Sequence, residues 1–207
     1  MKVQNYEYGH MAIGVDMQND FCPGGSLAVP YGDEVIAPFN TLTRAVRGIG
    51  GLVAFSRDWH PPKTSHFNTW PPHCIAGTNG AEFHKDLEIE KDDIIISKGM
   101  QVDEDNYSAF EGFAPDGNTL ESLIRAELER VQHLYVAIGG LATDYCDKAT
   151  VLSGLELREA VGPDRLTIIA LKSCMRAVNI DPNDGQRALD EMQAAGALLE
   201  MPKGLLL

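Results

Sequence analysis

Cys146 closes the run Gly139-Gly140-Leu141-Ala142-Thr143-Asp144-Tyr145-Cys146, where an apolar stretch gives way to a helical pattern. A lone thiol there reads equally well as a small buried side chain or as a nucleophile. Two other residues shift that balance. Asp16 ends the apolar run that opens the chain, and Lys98 follows the Ile-rich segment Asp93–Ser97. An ammonium beside a thiol favours the thiolate, as does a helix N-terminus. A carboxylate beside both can take the thiol proton and later hand it to a leaving amine. Asp16, Lys98 and Cys146 therefore make a workable acyl-transfer set without a histidine, if the fold brings them together.

A second group lies in residues 57–74, Arg-Asp-Trp-His-Pro-Pro-Lys-Thr-Ser-His-Phe-Asn-Thr-Trp-Pro-Pro-His-Cys. Asp58, His60, His66 and His73 crowd one Pro-rich loop. Asp-x-His sets two ligand types close together in extended backbone, and the loop can carry the later histidines back around a cation. One carboxylate and three imidazoles suit a single divalent ion, zinc before iron or manganese. Phe21 and Trp70 flank these segments and serve either as core anchors or as faces for a flat ring.

The elements that must position these residues follow from hydrophobic periodicity. Strands are predicted at Met11–Asp16, Leu52–Arg57, Asp93–Ser97, His133–Gly139, Leu166–Leu171 and Ala197–Met201. Helices are predicted at Asp33–Arg47, Thr119–Val131, Thr143–Leu157 and Asp181–Ala195, the last with Pro182 in its first turn. Apolar strands alternating with helices predict an α/β fold: three layers, a six-stranded mostly parallel sheet, and helices on both faces. Parallel strands joined by crossovers place all their C-terminal ends along one rim. Asp16, Asp58, Lys98 and the turn Gly139–Cys146 should meet there.

Composition narrows the partners. The 207 residues fit one domain over 1–207, and 30 acidic against 17 basic residues leave a net charge of -13. No basic cluster stands out, which argues against nucleic acid or an anionic membrane and leaves a small molecule as the expected partner. No segment has the length and character of a secretory signal or a membrane span, and four scattered cysteines read as reduced thiols of a cytoplasmic protein.

Taken together, the segments VDMQNDFCPGGSLAV, SRDWHPPKTSHF, WPPHC, YSAFEG, GLATDYC and MRAVNIDPNDGQRALDEMQAAGA resemble the nicotinamidase/pyrazinamidase group of the isochorismatase-like cysteine hydrolases, in that family's order and over most of the chain. The resemblance implies hydrolysis of nicotinamide to nicotinate and ammonia, with pyrazinamide as a side substrate. It implies Asp16, Lys98 and Cys146 as the triad. The metal ligands it implies are Asp58, His60 and His73, with His66 a fourth in some members. It further implies Phe21, Trp70 and Tyr107 around the ring, with Leu141 and Tyr145 completing the substrate pocket. The oxyanion hole would be formed by the backbone N–H groups of Ala142 and Cys146, shaped by a cis peptide between Leu141 and Ala142. A homo-oligomer is compatible with all of this.

One position departs from the family's pattern. Asp147 follows the nucleophile where an apolar residue is common, and it is expected to point outward and complement the helix N-terminus. Rival readings are an amidase for ureido or carbamoyl substrates and a non-catalytic module that binds a metal or a pyridine. Against the amidase stand the loop histidines; against the module stands the complete triad.

Overall fold

The computed structural model describes residues 6–205; the first five residues of the N-terminal segment and the last two of the chain lie outside that span. Five strands form the sheet: β1 (Tyr6–Val15), β2 (Leu52–Asp58), β3 (Ile94–Lys98), β4 (Val131–Leu141) and β5 (Leu166–Arg176). Their order is β3-β2-β1-β4-β5, and every neighbouring pair is parallel. Among the described residues four α-helices, α1 (Ile36–Gly48), α2 (Leu120–Leu128), α3 (Lys148–Val161) and α4 (Asp184–Ala194), complete the layers.

The alternation of side chains along each strand divides the interior in two. Met11, Ile13 and Val15 of β1 pack in one core with Ile124 of α2, Val151 of α3 and Met192 of α4. Ala12, pointing the other way, joins Phe39, Leu42 and Val46 of α1 in a second core. Phe39 and Phe55 are fully buried there, each contributing about 1.5–3 kcal/mol through removal from water. Helix α2 starts at a capping box in which Thr119 and Ser122 satisfy each other's backbone N–H groups, and it buries Leu120, Ile124 and Leu128 at four-residue spacing.

The expected sixth strand, Ala197–Met201, is not a sheet strand. Leu198 forms an isolated bridge to Ile169 of β5, and the Leu199 carbonyl accepts from Lys172 N at 3.3 Å. Gly196, at φ +109°, turns the chain just before it, and Pro202, which has no N–H to donate, follows at its end. Helix boundaries also move: α1 begins at Ile36 rather than Asp33, after a short turn over Gly32–Val35, and α2 ends at Leu128. Pro182 lies ahead of α4, whose N-cap is Asn183. The helix expected from Thr143 begins with a five-residue π turn, Thr143–Asp147, and α3 follows at Lys148. Among the described residues no helix is long and apolar enough to cross a membrane.

Sheet order sets the place of the site. Chain direction across the sheet reverses at β1, which has β2 on one side and β4 on the other, so the crevice beyond their C-terminal ends is the natural binding position. Asp58 and Lys98 are register partners at the ends of β2 and β3. Gly140 is the register partner of Val15, the residue before Asp16. Gly140 holds φ +150°, and a Cβ there would lie 2.0 Å from the Val15 carbonyl oxygen, so only glycine lets β4 close on β1 at this level.

Candidate active site

The strand ends bring Asp16, Lys98 and Cys146 into contact. Lys98 Nζ lies 2.9 Å from Asp16 Oδ2 and 3.5 Å from Cys146 Sγ. It also donates to Asp58 Oδ1 at 2.5 Å and to the Asn106 carbonyl at 3.2 Å. Asp16 adopts φ +49°, outside the ordinary range for a residue with a Cβ, and Ser56 Oγ donates to its Oδ1 at 2.7 Å. Gln18 fixes Asp58 from behind, with its amide donating to the Asp58 carbonyl and accepting from the Asp58 N–H, both at 2.8 Å.

These contacts determine where protons rest. Burial works against the Lys98 ammonium, but the surrounding Asp16, Asp58 and Cys146 outweigh it and hold its pKa well above the usual value. For Asp58, burial is overcome by Lys98 and the neighbouring imidazoles, so it stays a carboxylate. Burial pushes the Asp16 carboxyl up, although Lys98 opposes it. Cys146 is pushed well up by burial; Lys98 pulls it down, while Asp16 and Asp58 push it further up. Lys98 thus favours the thiolate as expected, while burial and the two carboxylates oppose it and favour the neutral thiol. Cys22 and Cys174 are likewise pushed up to about 11 by burial. What separates Cys146 from them is an adjacent base of raised affinity for a proton.

Asp147 does not point outward. It is fully buried, neither carboxylate oxygen has a hydrogen-bond partner, and burial, with Asp16 and Asp144 nearby, pushes its pKa well up. Burial thus favours the neutral form of this side chain, which directly follows Cys146 in the chain.

The loop after β2 gathers His60, His66 and His73, all buried, with one ring nitrogen of each within 4.8 Å of the others. His60 Nδ1 faces the Gly99 carbonyl at 2.9 Å and His73 Nδ1 faces the Pro71 carbonyl at 2.8 Å. A carbonyl only accepts, so each Nδ1 carries the proton and each Nε2 presents a lone pair. Those two Nε2 atoms lie 3.6 and 3.8 Å from Asp58 Oδ2, too far for hydrogen bonds. His60 Nε2 is buried with no partner at all. Lone pairs converging on a carboxylate across an unfilled gap fit a cation, and the donor set suits a divalent ion.

Beside both groups opens a cavity of about 440 Å³, counting its mouth. Cys146, Ala142 and Leu141 line one side of it, and Asp58, His66 and His73 another. Phe21, Trp70, Tyr107 and Tyr145 complete the wall. Trp70 meets Tyr145 edge-on at 4.9 Å between ring centres, and its indole N–H donates to Tyr107 Oη at 3.0 Å. Asp16 and Lys98 are fully buried below the sulfur and do not reach the cavity wall. The Leu141–Ala142 peptide is cis, and the Ala142 carbonyl accepts from the N–H groups of Tyr145 and Asp147 at 3.0 and 3.1 Å. Ser56, Gln18 and Asn106 were not singled out by sequence. For Ser56 a signal existed, since it shares strand parity with Asp58; the other two act through single hydrogen bonds that leave no pattern.

The chain is similar to known proteins in sequence and fold. The isochorismatase domain model matches residues 10–199. The nicotinamidase of Escherichia coli K12 is 36% identical, over 89% of this chain and 91% of its own length. The pyrazinamidase of Pyrococcus horikoshii, solved in complex with zinc, is 34% identical with a TM-score of 0.76, over 93% and 99% of the two chains. PnC1 from L. infantum, solved in complex with nicotinate, is 27% identical with a TM-score of 0.75, over 96% of each chain. A family match across nearly the whole chain, with a buried thiol, ammonium and carboxylate at the sheet's switch point, establishes that the chain belongs to the isochorismatase family, on its nicotinamidase branch.

Proposed function

We propose that this chain hydrolyses nicotinamide to nicotinate and ammonia, with Cys146 as nucleophile, and accepts pyrazinamide as a second substrate. The observation that carries the reading is the contact of Lys98 Nζ with both Asp16 Oδ2 and Cys146 Sγ, at the foot of a cavity walled by aromatic rings and by ligand-type histidines. Similarity to nicotinamidases supports the substrate.

The flat ring enters between Phe21 and Trp70, with Tyr107 and Tyr145 closing the wall. Asp58, His60, His66 and His73 would hold one divalent cation, zinc in first place, which supplies an anchor for the ring nitrogen and so fixes the carboxamide. As the sulfur attacks the amide carbon, Asp16 takes the thiol proton, so the thiolate forms only when it is used. Lys98 keeps its charge and offsets the negative charge that passes between sulfur and carboxylate. The backbone N–H groups of Ala142 and Cys146 face the developing oxyanion; one such donor is typically worth about 3 kcal/mol. Asp16 then gives its proton to the departing ammonia, leaving a thioester on Cys146. In the second half Asp16 takes a proton from water as its oxygen attacks the thioester, nicotinate leaves, and the proton returns to sulfur.

Ammonia release from nicotinamide, measured with and without a chelator, tests the reading. Turnover that is lost on chelation and restored by zinc is expected. Turnover on a ureido or carbamoyl compound but none on nicotinamide would replace it with the amidase alternative.

A further inference from the structure

The three imidazoles of the loop site are not held alike. His60 and His73 lean on backbone carbonyls, which the chain fixes in place. His66 Nδ1 instead contacts Asp105 Oδ1, the tip of a half-exposed side chain on the segment that follows β3. Yet His66 itself is buried, its ring stacked at 4.7 Å on that of His60.

The segment 99–107 is fastened to the site along its length. Gly99, at φ +64°, brings its carbonyl to His60, and a Cβ there would meet the His60 ring at 2.5 Å. The Val102 carbonyl accepts from Ser65 N at 2.8 Å and from Thr64 Oγ1 at 2.9 Å. Thr64 in turn caps the short turn Ser65–Asn68 that carries His66. Asn106 holds Lys98 and Tyr107 holds Trp70. Asp105 sits in this strap at the point where it faces the one imidazole without a backbone acceptor.

We propose that Asp105 is a positioning residue for the cation site: by accepting from His66 Nδ1–H it fixes that ring with Nε2 turned toward His60 and His73, and so decides whether the third imidazole is available to a metal. A free imidazole ring can turn over and exchange its two nitrogens; an acceptor on one side removes that choice and makes the other nitrogen a stronger donor. The strap thus couples the segment beyond Lys98 to ligand geometry, a role that its exposed acidic sequence does not advertise. This inference rests on the metal reading above.

The experiment is zinc affinity of the metal-free protein, measured by competition with a chromophoric chelator. Asp105→Ala should weaken zinc binding by about 10–100-fold, the usual range for a ligand's supporting partner. Asp105→Asn should recover most of the loss, because its amide oxygen accepts the same hydrogen bond. His66→Ala should weaken binding at least as much, and Asp105→Ala added to it should cost nothing further. The metal-free Asp105→Ala protein should melt as the parent does. Three results would overturn the proposal: affinity unchanged in Asp105→Ala, full additivity in the double variant, or metal-free destabilisation in proportion to the lost affinity. If His60→Ala and His66→Ala also keep the parent's affinity, the metal reading itself fails, and that outcome is told apart from the others by His60→Ala alone.

Discussion

The two sides of the pocket are built by different means. Asp16, Asp58 and Lys98 stand on or directly after strand ends, where sheet register alone sets their spacing and burial makes their charges interdependent. His60, His66 and His73 occupy a loop with only one short turn, and each ring is placed by its own hydrogen bond. In the proposed reaction, a framework of strands holds groups that must exchange protons at fixed distance. A loop with individually tethered rings holds groups that, in the same reading, need only converge on one ion. Asp58 belongs to both sides, since its Oδ1 takes the Lys98 hydrogen bond while its Oδ2 faces the imidazoles.

This contrast breaks most visibly at the sulfur. Cys146→Ala should lower turnover of nicotinamide by at least about 10⁴-fold, as loss of a nucleophile does elsewhere. Its metal content should be unchanged, because nothing on the loop depends on the thiol. Next in size is Lys98→Met. It leaves Asp16 and Asp58 buried side by side without their cation, and removing one partner of a buried ion pair costs about 3–5 kcal/mol. Chemical denaturation should register that loss, and a variant of parental stability would mean that the strand ends are not held by charge. His60→Ala should act on the other side only. Bound metal falls in elemental analysis and the KM for nicotinamide rises, while alkylation of Cys146 keeps its pH profile.

The smallest effect concerns two fully buried carboxylic groups, Asp16 and Asp147. Asp16 has Ser56 and Lys98 as partners, whereas Asp147 has none. Burial, with Asp16 and Asp144 nearby, raises the Asp147 pKa, so the folded chain holds a proton that the unfolded chain releases. Its contribution is then intact below the ordinary carboxylate pKa and is lost as pH rises from that value through the raised one. Asp147→Asn removes this pH-dependent loss. It should raise the melting temperature at pH 7 to 8, and the gain should fade as pH approaches 4. A gain that does not vary with pH would mean that Asp147 is not a neutral acid in the fold.

The same contrast explains what could be read from sequence. Apolar runs ending in Asp16, Asp58 and Lys98 mark strand ends, and crossover chirality then predicts that they meet, which needs no knowledge of side-chain contacts. The histidines are visible as residue types, but the tethers that aim them are single hydrogen bonds from Gly99, Pro71 and Asp105, with no periodicity to detect. The run Ala197–Met201 has strand composition, yet its neighbours Gly196 and Pro202 leave room for only one bridge. Asp147 misleads for a related reason. A carboxylate early in a helical pattern reads as an N-terminal charge, but Asp147 ends the π turn that precedes α3 and is fully buried.

In the proposed reaction the strand-end side does covalent chemistry on a substrate oriented by the loop side. Acid-quenching the enzyme during turnover of nicotinamide, followed by peptide mass mapping, tests it most directly. One nicotinoyl group on the peptide containing Cys146, absent when the loop site is stripped of metal, is the predicted result. Steady ammonia release with no acyl group on that cysteine at any quench time, and undiminished release by Cys146→Ala, would contradict it.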